Sequence, residues 1–491
     1  MRTIQLVRAS NVALYQQLIE QIKDQISSQQ LPAGTRLPTI RELAQQLGIT
    51  RSTVQNAYNE LQDNGWIEST IGRGTFVSNQ VQPHTAMRFS SQQLTPDAVI
   101  SDILQINEVV GTRSLASASP DPTLFPADEF WDALLGLRSQ MINLVSYTSS
   151  QGDPVLRVEL AKQLQTRAIA AQPDEILVTS GVTQALSLLM QTLCRPGDSV
   201  AVEQPTYLGL LHTIKAQGLH AVGVPFDGEG PQLDELERVI HQHRPRFFYT
   251  IPSFQNPTGS CMSLVRRQAL LALAQRSGIL LVEDDIYAPL AYDQPPPPPL
   301  KALDRSSVVV YVSSFAKVFM PGLRIGYVVA PAPIHQNLLS MRRATDLCGS
   351  PFLQRVMASF LDKRGLQKHL RRVLPIYRER RDALLGALQH HMPPTVTWTK
   401  PAGGFCCWVT LPRHHGLKNL QSQALQAGWA FAPGDVFLPQ TEVDYHLRLC
   451  FGNQTPETIR HGVAALAHLI RTGLAQNDLR SVEPIDWTPL V

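Results

Sequence analysis

Leu14, Leu18, Ile22 and Ile26 recur every four residues with Ile19 beside them, so residues 12–28 predict an amphipathic helix with one buried stripe. LPAG breaks that period. Thr39 followed three residues later by Glu42 is a capping box that opens a short helix, RELAQQL, and Gly48 ends it. Thr50 caps the next helix, where Val54, Ala57, Tyr58 and Leu61 fall on one inward face and Asn64-Gly65 closes the end. Two short helices across a tight turn predict a helix-turn-helix. WIEST and TFVS then alternate like two strands around the tip Ile71-Gly72-Arg73-Gly74, a hairpin suited to be a wing.

The pattern changes at residue 79. Residues 79–97, NQVQPHTAMRFSSQQLTPD, show neither helical nor alternating period and read as a flexible tether, and VISDILQINEVVG adds a weak helical pattern. From residue 112 helical runs alternate with the strand-like runs EILVTS, SVAVEQ, FFYTIP, ILLVED, VVVYVS and RIGYVVAP. That alternation predicts an α/β domain with a mainly parallel sheet and a ligand site beyond the strand ends. The expected organisation is a winged helix-turn-helix over 1–78, a linker over 79–111 and an α/β domain over 112–491.

Composition adds limits. At roughly 100–200 residues per domain, 491 residues should hold two to four units. The chain is 43% hydrophobic and 17% charged, no apolar run is long enough to cross a membrane, and MRTIQLVRAS has no secretory pattern, so a cytoplasmic protein is expected. Net charge is +3, and residues 1–80 hold seven Lys/Arg against six Asp/Glu, so bulk charge does not mark a nucleic-acid protein. The placement of particular arginines must do so. Cys194, Cys261, Cys348, Cys406, Cys407 and Cys450 form no CxxC pair and are expected as reduced thiols, with Cys406 and Cys407 on opposite faces of a strand-like run. The pairs His241/His243, His390/His391 and His414/His415 lack partners at ligand spacing, so no metal site is expected.

The first turn of the third helix exposes Arg51, Ser52 and Gln55, with Thr53 nearby, at the end that enters a major groove in this motif. There arginine grips guanine and glutamine grips adenine, while Arg73 at the wing tip is free to reach a backbone or minor groove. In LPTIRELAQQLG, ITRSTVQNAYNELQDNGWI and GRGTFV, residues 10–78 resemble the GntR class of winged-helix regulators. The resemblance implies that Arg41 and Arg51 contact double-stranded DNA, with Thr50, Ser52 and Thr53 on phosphates or base edges and Gly72 and Arg73 at the wing tip. A winged helix serving as a protein-interaction module is the alternative.

In the larger domain, Ser180-Gly181-Val182-Thr183 leads from a strand into a helix, where a glycine turn offers free amides to a phosphate. Asn256 precedes a proline that stiffens its loop. Asp284 and Tyr287 stand at the end of a buried strand, where a carboxylate is costly without a cationic partner. Lys317 follows with Ser314 three residues before it and Arg324 seven after. YTSSQGDPVLRVELA, TSGVTQAL, EQPTY, QNPTG, EDDIY, SFAKVFMPGLRIG and LRLCFG, in that order, resemble the fold type I aminotransferases over roughly residues 112–475.

That resemblance implies a large α/β part with a smaller C-terminal α+β subdomain, and pyridoxal 5'-phosphate as cofactor, held as an imine on Lys317. Asp284 would pair with the ring nitrogen, Asn256 and Tyr287 with the phenolic oxygen, and Tyr207 would stack on the ring. Gly181, Val182, Thr183, Ser314 and Arg324 would take the phosphate. Tyr147 matches a tyrosine lent to the neighbouring subunit's cofactor, which implies a homodimer, and Arg448 matches an arginine that clamps a substrate carboxylate. Ala118 departs from the pattern, where relatives usually have glycine. The two resemblances in this order match the MocR-type subgroup of GntR regulators, which implies a sensor of an amino acid or other amine that binds a promoter. A true aminotransferase with an appended DNA module and a structural dimer with an empty pocket are the alternatives.

Overall fold

The computed structural model describes residue 4 and residues 14–27, 30–63, 66–70, 74–78, 113–417, 419–440 and 444–475. The chain divides into two units, Met1–Leu94 and Thr95–Val491.

The apolar stripe of the first unit folds as α1 (Leu14–Ser27), with Leu18, Ile19, Ile22 and Ile26 buried. In α2 (Ile40–Leu47) the Thr39 hydroxyl accepts from the Glu42 amide at 3.3 Å, and the Glu42 carboxylate accepts from the Thr39 amide at 2.9 Å. Gly48 ends this helix at φ 61°, a left-handed position that favours glycine. In α3 (Arg51–Asp63) Val54, Ala57, Tyr58 and Leu61 all face inward and close one core with α1, Leu37 and Leu43. β1 (Ile67–Thr70) and β2 (Gly74–Val77) pair antiparallel from Ile67↔Val77 to Thr70↔Gly74. Asn64, Gly65 and the tip residues Ile71, Gly72 and Arg73 lie outside the described residues, as does the linker.

The second unit begins with the short strand β3 (Arg113–Ser114). Its main sheet is built from β4 (Ile176–Thr179), β5 (Ser199–Gln204), β6 (His220–Asp227), β7 (Gly230–Pro231), β8 (Phe247–Thr250), β9 (Leu280–Asp284), β10 (Val309–Ser314) and β11 (Gly326–Val329). All six strand-like runs of the sequence are strands here. The order is β4-β11-β10-β9-β8-β5-β6-β7, parallel from β10 through β6 and antiparallel at β11 and β7. β6 and β7 were not foreseen, because His220–Asp227 mixes Gly223 and Pro225 into a half-buried run near the sheet edge and so lacks a buried strand's apolar block.

A second sheet, β12 (Thr397–Trp398), β13 (Cys406–Thr410), β15 (Ala432–Pro433) and β16 (His446–Cys450), is antiparallel in the order β12-β13-β16-β15. With the helices Gly365–His391 and Pro456–Ala475 it forms the α+β part foreseen at the C-terminal end. β14 (Trp429–Ala430) pairs in parallel with β3, tying the start of the unit to this part. No described helix is long and apolar enough to cross a membrane.

Candidate functional site

On the first unit Arg41, Arg51, Ser52 and Gln55 are exposed and Thr53 is half-buried. The Thr50 hydroxyl accepts from the Thr53 amide at 3.2 Å, and it lies 2.9 Å from the Ser52 hydroxyl and 2.8 Å from that of Thr53. These three hydroxyls therefore sit together over the N-terminal end of α3, where unpaired amides favour a phosphate. Gln55 donates to Asn59 at 2.8 Å along its own helix. Arg36 was missed. It bridges to Phe76 at the foot of the hairpin, and a Cβ on Gly74 would meet its Nε at 3.1 Å, so an exposed guanidinium is set against the wing.

On the second unit the chemistry gathers at the ends of the parallel strands. Across the sheet, Thr179 lies beside Gly326, and Gly326 beside Ser314. β10 and β11 are an antiparallel pair closed at Ser314↔Gly326, so residues 315–325, including Lys317, form the excursion between them. Gly181 precedes the helix Val182–Leu193 at φ 95°, and no side chain caps that helix. Arg324 donates to the Ser180 carbonyl at 2.9 Å, which brings its guanidinium over the same turn. A Cβ on Gly326 would meet the Gly181 backbone at 2.8 Å, so a glycine there is what lets β11 approach the helix start. An uncapped helix N-terminus beside an arginine and the Ser314 hydroxyl is an anion cradle. A cavity of about 150 Å³ opens next to it, lined by Ser180, Arg324, Arg342 and Gln354 among others.

Asp284 ends β9 and is buried. Tyr249, a residue that sequence reasoning passed over, donates its hydroxyl to Asp284 at 2.7 Å, and the Ile286 amide donates at 3.2 Å. Burial outweighs those donors and pushes the Asp284 carboxyl up to about 7. No ion pair reaches it among the described residues, so a cationic group is the kind of partner that would stabilise its ionised form. The signal for Tyr249 was a lone hydroxyl in an apolar strand, which needs an acceptor once buried.

Lys317 is half-buried, and its ammonium has no hydrogen-bond or ion-pair partner among the described residues. Burial, aided by the Arg448 charge, holds its pKa below that of an ordinary lysine. Asn256 brings its Nδ2 to 3.5 Å from the Tyr287 hydroxyl. Tyr207 precedes the helix Leu208–Ala216, with the Thr183 side chain as hydrogen-bond partner, and burial raises its pKa.

Arg448 is 6% exposed, yet no carboxylate pairs with it among the described residues. It donates to Asn256 Oδ1 at 2.7 Å and to the Ala116 carbonyl at 2.6 Å, and it lies 4.7 Å over the Phe437 ring. Its Nε is buried with no partner. A buried guanidinium held by neutral oxygens, with an unused donor, is a site for a carboxylate. Ala118 is buried nearby in sequence to these contacts. Tyr147, by contrast, is 85% exposed and does not join its own chain's pocket.

Comparison with known proteins gives two family matches. Residues 119–466 match the aminotransferase class I and II family, and residues 14–77 match the gntR family of bacterial regulatory proteins. The uncharacterized HTH-type transcriptional regulator YdfD of Bacillus subtilis is 31% identical, across 93% of this chain and 96% of its own. The probable rhizopine catabolism regulatory protein MocR of Rhizobium meliloti is 27% identical, with 94% of each chain covered. Among solved structures, the α-aminoadipate aminotransferase LysN of Thermus thermophilus, complexed with N-(5'-phosphopyridoxyl)-L-leucine, superposes with TM-score 0.71 at 34% identity, covering 78% of this chain and 96% of that one.

Proposed function

The chain belongs to the aminotransferase class I and II family and joins to it a gntR-family helix-turn-helix domain, and on that premise we propose that it is a DNA-binding regulator whose larger unit holds pyridoxal phosphate on Lys317 and senses an amine. Its relatives include MocR and other HTH-type regulators of the same two-domain composition. The observation that carries the reading is the convergence of a half-buried amine, Lys317, without a hydrogen-bond partner among the described residues, with a buried carboxylate, Asp284, and an uncapped helix start at Gly181.

The residues present fit the cofactor. When bound, pyridoxal phosphate supplies an aldehyde that captures amines and a ring that draws electrons. Gly181, Val182 and Thr183 would hold the phosphate with backbone amides, joined by Ser314 and Arg324. Asp284, kept in place by Tyr249, would hold a proton on the ring nitrogen, and Asn256 and Tyr287 would hydrogen-bond the phenolic oxygen while Tyr207 covers the ring. Lys317, with its lowered pKa, keeps more of its amine neutral for bonding to a carbonyl. Arg448 would receive the carboxylate of an amino-acid effector. Trp131, Leu135, Ile142, Val145 and Tyr147 are all exposed, and this apolar surface supports a homodimer in which Tyr147 reaches the partner.

Borohydride reduction of the loaded protein, followed by denaturation and mass analysis, should leave the cofactor on the wild-type chain and none on Lys317→Ala. Titrating the loaded protein with amines, read by its visible absorption and by operator affinity together, tests sensing. An absorption change with constant operator affinity would sink the regulatory part. The intact set Lys317, Asp284 and Arg448 favours a second reading, catalytic transamination, for which repeated turnovers with a keto-acid acceptor are the test.

A further inference from the structure

Cys406 and Cys450 stand directly opposite each other on β13 and β16. The Cys450 amide donates to Leu115 rather than across to Cys406, which makes this a non-hydrogen-bonded pair, the kind in which facing side chains lie closest. Such pairs have Cα atoms about 4.5 Å apart, inside the range a disulfide spans. The two sulfurs are 4.0 Å apart as thiols, a gap that rotation about the Cα–Cβ bonds can close. Cys407 points to the other face and donates to the Thr399 carbonyl at 3.2 Å.

The pair is wired to Arg448, which lies two residues before Cys450 on β16 and opposite Trp408. Cys406 donates to Asn256 Oδ1 at 3.6 Å and Cys450 donates to the Ala116 carbonyl at 3.7 Å. Arg448 uses the same two oxygens, Asn256 Oδ1 at 2.7 Å and Ala116 O at 2.6 Å. Both thiols are buried and feel the charge of the half-buried Lys317, so a small oxidant such as hydrogen peroxide is the kind that the proposal requires to reach them.

We propose that Cys406 and Cys450 are a reversible disulfide site in the wall of the Lys317 pocket, closed by hydrogen peroxide and opened by a thiol reductant. Burial raises the Cys450 thiol, but the bond from Cys406 and the charges of Arg448 and Lys317 outweigh it and hold it below an ordinary thiol, which favours a thiolate there. The Cys450 thiolate attacks one peroxide oxygen, an S–O bond forms as the O–O bond breaks, and the departing hydroxide takes a proton to leave as water. Cys406 then gives up its proton, its sulfur attacks the Cys450 sulfur, and the S–S bond forms as the S–O bond breaks and a second water leaves. Two thiols lose two electrons and one peroxide gains them. Closure takes both sulfurs off the oxygens that hold Arg448, so the oxidation state alters the surroundings of that guanidinium.

The experiment treats the full chain with hydrogen peroxide, alkylates the remaining thiols under denaturing conditions and maps the peptides. The expected result is a peptide linking Cys406 to Cys450, two fewer alkylated thiols, reversal by dithiothreitol, and no link in Cys450→Ser, whose fold is checked by circular dichroism. Alkylation of both cysteines after treatment, or their conversion to sulfinic acid without a link, overturns the proposal. These readouts do not require cofactor, so a protein that fails to load pyridoxal phosphate counts against the function proposed above and not against the site. In loaded protein, the visible absorption should shift on oxidation and return on reduction. A linked protein with an unmoved spectrum overturns the coupling to the pocket.

Discussion

The two units place their candidate functional side chains in opposite environments. Arg41, Arg51, Ser52 and Gln55 are exposed on α2 and α3, above a core made of other residues, whereas Asp284, Asn256 and Arg448 are themselves buried. An exposed arginine keeps its water until DNA arrives, so its replacement should alter binding and leave the fold alone. A buried carboxylate or guanidinium lost its water when the chain folded, and its replacement alters folding and binding together. The same contrast separates the two sites in their response to salt. Phosphate contacts on the first unit weaken as salt rises, while the charges around Lys317 are screened far less.

The strongest test of that contrast is Asp284→Asn in cofactor-free protein. The folded carboxyl is raised to about 7 from an ordinary 3.8, so between those values the folded chain binds more protons than the unfolded one. Its contribution therefore erodes stability as pH rises from about 4 to about 7. Asparagine keeps an acceptor for Tyr249 and removes the titration. Relative to wild type, the cofactor-free variant should match at pH 4 and gain up to a few kcal/mol by pH 8, while binding pyridoxal phosphate more weakly. Thermal melts of both proteins across that range are the measurement. A constant difference between them at all pH values would mean that Asp284 is not held neutral by its burial.

Legibility in the sequence followed the same division. Helices with one apolar stripe, such as Leu18, Ile22 and Ile26, and strands of continuous apolar residues, such as Phe247–Thr250, were readable because burial imposes their period. The half-buried β6 was not, since its two faces differ too little to leave a pattern. In the candidate site, Lys317, Asp284 and Gly181 could be nominated because each belongs to a motif that carries the aminotransferase resemblance. Tyr249, Phe437, the Ala116 carbonyl and the Cys406–Cys450 pair could not, because they meet their partners across strands far apart in the chain. Long-range register is what a single sequence hides.

Arg51→Ala should show the other side of the comparison. Arg51 is exposed in the first turn of α3, and a base contact by such an arginine is worth about 1–3 kcal/mol, roughly ten- to a hundredfold in affinity. Binding to the operator should fall by that amount, measured by anisotropy at fixed salt, while the melting of the chain changes by no more than about 0.5 kcal/mol. Equal operator affinity with and without Arg51 would move recognition to another surface of the unit. Arg36, whose guanidinium lies against the wing at Gly74, is then the first residue to replace.

Thr39→Ala gives the smallest effect and the sharpest distinction, because it touches the fold of the first unit without touching any of the side chains assigned to DNA. Thr39 and Glu42 satisfy each other's backbone amides at the start of α2, and both are exposed, so no core contact is lost with the hydroxyl. Losing the cap should cost about 1 kcal/mol. Aspartate at the same position keeps an acceptor for the Glu42 amide but brings a second negative charge beside Glu42, so Thr39→Ser is the cleaner rescue. The expected outcome is a lower melting temperature for the first unit in Thr39→Ala, restored in Thr39→Ser, with Lys317-linked absorption unchanged in both. If the absorption moves along with the melt, the two units do not fold independently, and the separation between an exposed reading surface and a buried pocket fails at its premise.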